Sequence, residues 1–416
     1  VFLIFVHQSS SNLHLNSKAI QKMISYFQTS GNIIIIFMRT ILIFLFTFLV
    51  NFSVQADHQN EAYEPHNWGK FEIKGSDNYY KFNFELVEDQ DVKKEIKNSK
   101  KTGIVSYLLF EDGKIKIDEE NLPDYIKSNN GVMSSKSVGK SLVSYVLGHA
   151  ICDGYIDSID TTLDDWSVLN GTLYKGQKLI DILNMKAGDQ KFIGERNFNS
   201  DNRIEDKKFL NVNTFPIKDV MDLPILQTTK KSRSLYNYNA LATNVLMNYT
   251  IYKTGENWEK LLHKVFNLNA RIKDKVFFHQ SISKYALTDK SNYPREVGRY
   301  SFYANRYDYL RIAKRILDDW NNDTCVGKYI KKIYDQRISK NRKSYNTQSA
   351  SQYSTKYGGQ FHFDIKGLGK KRILAMDGFG GQQIIIDFDR GRIIVINSLD
   401  RHYNWKKIVH KKLKQK

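Results

Sequence analysis

Several familiar functional signatures are missing from this sequence. Lysine and arginine outnumber aspartate and glutamate by 63 to 44, yet no zinc-finger, helix-turn-helix or RNA-binding motif accompanies the scattered charges. We therefore expect no nucleic-acid partner and assign the basic excess to a solvated surface. No spacing of Cys and His is typical of a metal site, and His362-x-Asp364 alone is weak support, so we predict neither metal nor cofactor. The absence of Gly-x-Ser-x-Gly argues against an α/β-hydrolase with a Ser-His-Asp triad.

Cysteine is scarce as well, with two residues in a chain of 416. Cys152 lies near the end of a predicted helix, where a buried free thiol is the most common state. An exported chain could pair it with Cys325, but the two need not be neighbours in space, so the pairing stays open. Internal repeats and long low-complexity segments are also missing, which favours one large domain or two closely joined ones.

Acidic residues are absent from the first 56 positions. Met38 and Arg39 precede the apolar run ILIFLFTFLV, and small residues follow it up to Ala56. This pattern predicts a secretory signal peptide over residues 38–56, with residues 1–37 as an upstream extension. A signal peptide implies export, and we interpret the destination as the periplasm. A membrane-anchored form is the alternative, because IIIIF lies just upstream, although Arg39 interrupts that apolar stretch.

Alternating apolar residues predict strands near both ends of the chain. Residues 79–118 are predicted as strands that include a hairpin at Asp112-Gly113. Residues 372–397 are predicted as strands that include a second hairpin, with its turn near Arg390-Gly391. The region from 137 to about 340 is predicted to be mainly helical.

This order predicts an α/β (α+β) fold with one antiparallel sheet built from both termini and flanked by helices, plus a mainly helical lobe. We expect one domain over residues 57–416, with the sheet lobe at about 65–155 and 350–416 and the helical lobe at about 156–349. A cleft between the lobes is the expected place for a site. The tail NWKKIVHKKLKQK is predicted to be a basic amphipathic helix that could contact a membrane peripherally. The oligomeric state stays open.

The stretch SSKSVGKSLVSYVLGHAICDGY, residues 134–155, carries the strongest chemical signal. Six apolar residues recur at the spacing of one buried helix face: Leu142, Val143, Val146, Leu147, Ala150 and Ile151. Gly154 is predicted to end this helix. Ser137 then lies in the first turn, at the positive end of the helix dipole, and Lys140 lies one turn later. A buried lysine is costly unless it loses its proton or finds a partner, and such an amine can activate a serine nucleophile.

A second Ser-x-x-Lys match tests how specific this signal is. Ser281 and Lys284 have the same spacing, but no comparably apolar helix follows them. The context therefore favours Ser137 and Lys140 as the chemical pair.

These residues resemble the serine hydrolases related to class C β-lactamases, D-alanyl-D-alanine peptidases and 6-aminohexanoate-dimer hydrolases. That family runs through Ser-x-x-Lys, then Tyr-x-Asn or Tyr-x-Ser, then Lys-Thr-Gly or His-x-Gly on a strand. Ser137 and Lys140 match the first motif, and KLIDILNMKAGD at 178–189 resembles the block that commonly follows. The resemblance covers most of residues 100–416 and implies a β-lactamase/transpeptidase-like fold.

The resemblance implies that Tyr238, within SLYNYNALATNVL, is the tyrosine of the second motif. Its phenol would relay protons beside Ser137 and Lys140, and which of Lys140 and Tyr238 is the base stays open because the pair would titrate together. Ala240 stands at a substrate-binding position where the family has Asn or Ser. This departure removes a side chain that would hydrogen-bond a substrate amide.

The third motif has two competing matches in Lys253-Thr254-Gly255, which is expected to close a helix, and Lys101-Thr102-Gly103, which precedes the nucleophile. The resemblance instead implies AMDGFGGQQIIIDF, residues 375–388, as an edge strand that lines the site.

In that segment Met376, Asp377 and Gly378 take the place of Lys-Thr-Gly as substrate-binding residues. The backbone N–H groups of Ser137 and Phe379 would form the oxyanion hole.

Together these residues imply an exported hydrolase that forms an acyl-enzyme on Ser137 with a small-molecule or short peptide-like substrate. Met376 is neutral and Asp377 is expected to be anionic, so neutral or cationic esters and short amides are expected to react better than penicillins. The alternatives are a true β-lactamase, a D-alanyl-D-alanine carboxypeptidase, or a catalytically weak binding module of the same fold.

Overall fold

A computed structural model describes residues 70–190, 203–204, 210–211, 217–279, 301–340 and 349–415. All of them belong to one unit of the chain, Asn60–Lys416. The predicted signal peptide at 38–56 and the second Ser-x-x-Lys match at 281–284 lie outside the described residues.

Short and long strands alternate with helices along the described chain. The strands are β1 (Lys70–Ile73), β2 (Asn83–Phe84), β3 (Ile104–Glu111), β4 (Lys114–Glu120), β5 (Met133–Ser134), β6 (Arg203–Ile204), β7 (Leu210–Asn211), β8 (Val276–His279), β9 (Phe302–Ala304), β10 (Ile338–Ser339), β11 (Ser354–Gly358), β12 (Phe361–Ile365), β13 (Ile373–Gly378), β14 (Gln382–Asp387) and β15 (Arg392–Ser398). The α-helices are α1 (Gln90–Lys97), α2 (Ser99–Thr102), α3 (Asp124–Lys127), α4 (Val138–Cys152), α5 (Leu179–Leu183), α6 (Ile217–Met221), α7 (Ala240–Thr254), α8 (Trp258–Leu262), α9 (Arg306–Asn321), α10 (Cys325–Asp335), α11 (Ala350–Tyr353) and α12 (Lys411–Lys414). Short 3₁₀ segments are Ser167–Leu169, Gly255–Asn257 and Phe379–Gly381, and π-helical turns are His263–Asn269 and Lys406–His410.

The main sheet is built from both ends of the described chain, and this confirms the predicted fold class. Its nine strands run in the order β10-β11-β12-β13-β14-β15-β3-β4-β2. The strand β15 pairs antiparallel with β3, which places Val395 opposite Leu108. Both predicted hairpins are present, and Asp112 and Gly113 take φ values of 51° and 75°, as a two-residue turn of this kind requires.

The two central strands β14 and β15 are rich in isoleucine because the sheet is covered on both faces. Alternate side chains enter different cores. Ile384 and Val395 enter a core shared with α4, α7 and α9, whereas Ile385 and Ile394 enter a smaller core under α1 and the C-terminal helix.

The basic tail forms the predicted amphipathic helix, but its apolar side is already covered. Ile408, Val409 and Leu413 are buried in the smaller core against the sheet. Lysines such as Lys406 and Lys407 point to solvent, so contact of this helix with an anionic surface would use its charges.

A four-stranded sheet of order β1-β8-β9-β5 was not predicted from the sequence. The predicted strand over residues 79–88 is wrong in extent, because only Asn83–Phe84 is strand, at the edge of the main sheet and parallel to β4. The preceding rings pack on a cation instead, since Tyr79 and Phe82 lie 5.3 and 5.4 Å from the Arg311 guanidinium.

Cys152 and Cys325 form a disulfide that joins the end of α4 to the start of α10. The expectation of a free thiol at Cys152 is therefore wrong, because folding brings together two helix ends 173 residues apart in sequence. Within the described residues, no helix has the length and apolar character needed to span a bilayer.

Candidate active site

The turn before α4 holds the candidate nucleophile in a defined position. Ser135 accepts a hydrogen bond at Oγ from the backbone N–H of Phe302 on β9 at 2.8 Å, and its own N–H donates to the Phe302 carbonyl at 2.6 Å. Lys136 follows in the left-handed region with φ 49°. Ser137 is then the N-cap residue of α4, and its hydroxyl makes no capping hydrogen bond, so the oxygen is not committed to its own helix.

Lys140 lies one turn into α4 with only 2% of its surface exposed. Its Nζ donates to the backbone carbonyl of Asn239 at 3.4 Å and to Thr243 Oγ1 at 3.5 Å. Burial lowers the pKa of this amine well below its usual value. A neutral amine beside the N-terminus of α4 is able to accept a proton from a serine hydroxyl.

Tyr238 lies directly before α7, where the loop from residue 227 enters the helix. The Asn239 side chain caps α7 by accepting from the Ala242 N–H at 2.8 Å. The half-buried ring of Tyr238 lies 5.2 Å from Lys140 Nζ and packs edge-on against Tyr357 at 6.1 Å. The structure therefore brings the tyrosine and lysine of the first two motifs together.

The strand β13 carries the third motif but is not a sheet edge, so the expected edge strand is corrected. It lies between β12 and β14. Its paired residues with β12 reach only Ala375, opposite His362, whereas its pairing with β14 continues to Gly378, opposite Gln382. The last residues of β13 therefore extend past β12 and are paired with β14 alone, as in an edge strand.

Gly378 is needed because β13 comes close to the nucleophile turn. A Cβ at this position would lie 2.5 Å from the Ser135 carbonyl oxygen and 3.2 Å from Lys136 Cβ. Phe379 follows, with 59% of its surface exposed. The Phe379 backbone thus begins where β13 comes close to the turn that leads into Ser137.

Asp377, at the third motif, is a buried carboxylate that is paired with a cation. Its carboxylate accepts from Arg401 Nη2 at 2.6 Å and from the Ser351 N–H at 2.8 Å. Burial would raise the pKa of Asp377, but the Arg401 guanidinium and the other neighbours outweigh burial and hold the pKa below its usual value. Arg401 also donates to the Gly378 carbonyl at 2.5 Å. The wall at the third motif is therefore an ion pair.

Solved structures of similar architecture include a protein assigned as a dimer hydrolase, an amidase and a β-lactamase. A protein from Bacillus anthracis assigned as a 6-aminohexanoate-dimer hydrolase matches with a TM-score of 0.60 at 14% identity, covering 86% of this chain and 92% of its own. The chain has the β-lactamase/transpeptidase-like fold. A D-amino acid amidase from Ochrobactrum anthropi matches at TM-score 0.54 and 12% identity, covering 78% of this chain and 98% of its own. A class C β-lactamase from Rhodobacter sphaeroides matches at TM-score 0.51 and 11% identity, with the same two coverages of 78% and 98%. At the level of sequence, no family profile and no curated protein matches this chain.

Two expected substrate-binding side chains of this β-lactamase/transpeptidase-like fold lie in its core. Ala240 is the first residue of α7 and is buried, and Met376 is fully buried on β13. Neither side chain offers a polar group to a substrate. The Lys-Thr-Gly match at 253–255 ends α7, as expected, and the match at 101–103 ends the short helix α2 directly before β3.

Sequence reasoning missed Gln360, which orients the surroundings of Lys140. Gln360 is buried with a left-handed φ of 69°, and its Oε1 accepts from Thr243 Oγ1 at 2.8 Å. Its carbonyl accepts from Ser141 Oγ at 2.6 Å. Because the Thr243 proton goes to Gln360, the Thr243 oxygen is left to accept from Lys140. The left-handed backbone of Gln360 is the feature that indicates a special role for this residue, and it is visible only in the structure.

No group of three or more His, Cys, Asp or Glu in the described part of the chain is placed to hold a metal ion. His362 is buried on β12 with its Nδ1 3.3 Å from Ser354 Oγ, and Asp364 pairs with Arg337 at 3.1 Å. The side chains of His362 and Asp364 therefore contact Ser354 and Arg337 respectively.

Proposed function

We propose that this protein is a serine hydrolase that cleaves ester or amide bonds through an acyl-enzyme on Ser137. One observation carries the proposal above all others. Lys140, a buried amine whose pKa is held far below its usual value by burial, lies one helical turn after a serine whose hydroxyl is not used as a cap. Such an amine can remove the serine proton as the nucleophile attacks.

In the acylation step, Ser137 Oγ forms a bond to the substrate carbonyl carbon while its proton passes to Lys140 or Tyr238. The N–H groups of Ser137 and Phe379 stabilise the negative oxygen of the tetrahedral intermediate. The intermediate collapses, the bond to the leaving alcohol or amine breaks, and the same proton passes to that leaving group. Water then attacks the carbonyl carbon of the ester on Ser137, the bond from that carbon to Oγ breaks, and the acid leaves while Oγ regains a proton that comes from the water.

We further propose that neutral or cationic esters and short amides are better substrates than β-lactams. Position 376 holds a buried methionine and supplies no cation. The Arg401 guanidinium lies nearby, but Asp377 and the Gly378 carbonyl already accept from it. A guanidinium that is paired in this way offers an anionic substrate little net attraction. The names of two similar structures, a dimer hydrolase and an amidase, support an ester or amide substrate.

The second candidate is a true β-lactamase or D-alanyl-D-alanine carboxypeptidase. The observation that favours it is Arg401, because about a fifth of its side chain (21%) stays exposed beside the third motif. The name of the class C β-lactamase among the similar structures points the same way.

The test compares nitrocefin with p-nitrophenyl acetate and butyrate, using Ser137→Ala as the blank. We expect ester hydrolysis that disappears in the blank and little cleavage of nitrocefin. Nitrocefin turnover well above ester turnover would establish the second candidate. Wild-type rates equal to the blank for all three compounds would instead favour the hypothesis of a binding module of the same fold.

We also propose that the protein is exported, with a mature N-terminus near Asp57. The disulfide between Cys152 and Cys325 supports export, because disulfides persist mainly in oxidising compartments. N-terminal sequencing of the protein purified from its native source tests this proposal. A terminus near Asp57 is expected, whereas an intact segment from Met38 would favour an anchored form.

A further inference from the structure

One buried carboxylate in the described chain differs from all the others. Five aspartates are buried there: Asp189, Asp308, Asp319, Asp377 and Asp387. The last four each form an ion pair with an arginine or lysine, at 2.8, 2.7, 2.6 and 3.5 Å respectively. Asp189, which is 1% exposed, accepts only from neutral groups among the described residues. A carboxylate held without a cation costs stability, so its retention calls for a specific role.

The donors to Asp189 show where that role lies. Asn237 Nδ2 donates to Oδ1 at 2.7 Å, and Asn239 Nδ2 and the Tyr174 hydroxyl donate to Oδ2 at 3.1 and 2.9 Å. Asn237 and Asn239 are the two residues on either side of Tyr238. One carboxylate therefore holds the chain on both sides of the candidate catalytic tyrosine.

The same contacts reach Lys140 through the backbone. The Asn239 carbonyl is the oxygen to which Lys140 Nζ donates at 3.4 Å. The Asn237 N–H is tied to the Met185 carbonyl at 2.7 Å, on the loop that carries Asp189. These hydrogen bonds join two loops, the one from α5 to Asp189 and the one that enters α7, beside Lys140 and Tyr238.

We infer that Asp189 is a positioning residue whose hydrogen bonds to Asn237 and Asn239 fix Tyr238, and the carbonyl that binds Lys140, for proton transfer with Ser137. This inference rests on the proposed function and adds to it the residue that orders the two groups. The donors to Asp189 on the loop that enters α7 are the two asparagines, so its effect on Tyr238 and on the carbonyl that binds Lys140 passes through them.

The direct test is Asp189→Asn, which keeps the size of the side chain but turns one acceptor oxygen into an amide donor. That donor would face either the Asn237 amide, or the Asn239 amide and the Tyr174 hydroxyl. With p-nitrophenyl acetate we expect kcat to fall about tenfold to a hundredfold while KM changes little, because misplacing a catalytic group mainly affects the chemical step. Asn237→Ala, which leaves the carboxylate in place, should lower kcat in the same direction by a smaller factor.

Asp308→Asn is the matched control. Asp308 is equally buried and accepts from Arg311 and from the Lys273 N–H at 2.7 Å, and none of these partners belongs to the candidate site. We expect this variant to lose thermal stability without a fall in kcat. Equal losses of kcat in Asp189→Asn and Asp308→Asn would show that Asp189 acts through stability alone and would overturn the inference.

A spectroscopic readout separates this inference from the proposed function. With 3-fluorotyrosine placed at position 238, the ¹⁹F spectrum should show one sharp resonance in the otherwise unchanged protein and in Asp308→Asn. In Asp189→Asn the resonance should broaden or split because Tyr238 is released. If the resonance changes in Asp189→Asn but the wild type shows no hydrolase activity, the positioning of Tyr238 by Asp189 is supported and the proposed function is rejected. An active protein with an unchanged resonance and unchanged kcat in Asp189→Asn would reject the positioning role.

Discussion

Arg401 and the buried Asp377 form an ion pair at the end of β13, with 2.6 Å between Nη2 and Oδ1, although 24 positions separate them in sequence. The pair places a guanidinium next to the carbonyl of Gly378, one residue before the proposed oxyanion donor Phe379. Two effects follow from this arrangement. It neutralises the carboxylate that the third motif brings into the site, and it ties the loop after β15 to the end of β13.

Removing one partner of this pair should be more harmful than removing both. Arg401→Gln leaves the Asp377 carboxylate buried without a cation, which should lower the free energy of unfolding by about 3 kcal/mol. The double variant Arg401→Gln/Asp377→Asn should recover a large part of that loss. Urea unfolding of the three proteins measures both effects. A single variant as stable as the wild type would show that the pair is not coupled to folding.

Loss of the Lys140 amine should stop turnover and leave the fold intact. Lys140→Ala removes the proposed proton acceptor and also removes a buried polar group, so ester hydrolysis should fall to the level of the Ser137→Ala blank while thermal stability stays near that of the wild type. Lys253→Ala is the matched control, because Lys253 belongs to the Lys-Thr-Gly match at the end of α7 and pairs with Asp165 away from the site. Near-normal activity in Lys140→Ala would exclude this lysine as the base.

The pH dependence of kcat/KM should reflect the lowered pKa of Lys140. The amine accepts a proton only when it is neutral, so kcat/KM should rise with pH through the pKa of the Lys140 and Tyr238 pair and then level off. Because burial lowers the pKa of Lys140 well below 10.5, the plateau should begin well below pH 10. A profile of p-nitrophenyl ester hydrolysis corrected for the blank measures this. A rate that keeps rising up to pH 10 would contradict the lowered pKa of Lys140.

The two β-hairpins show why parts of the fold could be predicted from the sequence. Each depends on neighbouring residues: Asp112 and Gly113 supply the two left-handed positions of a tight turn, and Gly391 supplies one at the second hairpin. The apolar face of α4 and the end of that helix before Gly154 are local patterns of the same kind. Ser137, Lys140 and Tyr238 could be selected because their motifs are short and occur in the expected order.

Contacts between distant segments could not be predicted in this way. Arg401 follows no motif, and its role depends on a loop folding back on β13. Asp189 lies within the predicted block at 178–189, but its partners Asn237 and Asn239 come about 50 residues later, at separations of 48 and 50. The strand β5, which leads into the nucleophile turn, pairs with β9 across a much longer separation, with Met133 opposite Ala304. Such pairings depend on tertiary packing rather than on local propensity.

His149 should make stability depend on pH in a defined window. Burial lowers the pKa of His149 from 6.5 to about 4, and its Nε2 is buried with no hydrogen-bond partner in the described structure. Between these values the unfolded chain binds a proton that the folded chain does not, so the free energy of unfolding should fall as pH drops from 6.5 to 4, by about 3 kcal/mol. Urea unfolding of the wild type and of His149→Phe isolates this component, since the variant should lose it. Parallel pH curves for the two proteins would contradict the assignment.

The measurement that tests the central claim most directly is covalent labelling by a fluorophosphonate probe, read by peptide mass spectrometry. The wild type should carry the probe on Ser137, and Ser137→Ala should not be labelled. Ser281→Ala, which removes the serine of the second Ser-x-x-Lys match, should be labelled at the wild-type rate. Labelling of Ser137→Ala at the wild-type rate, or a probe found on a serine other than Ser137, would contradict the account.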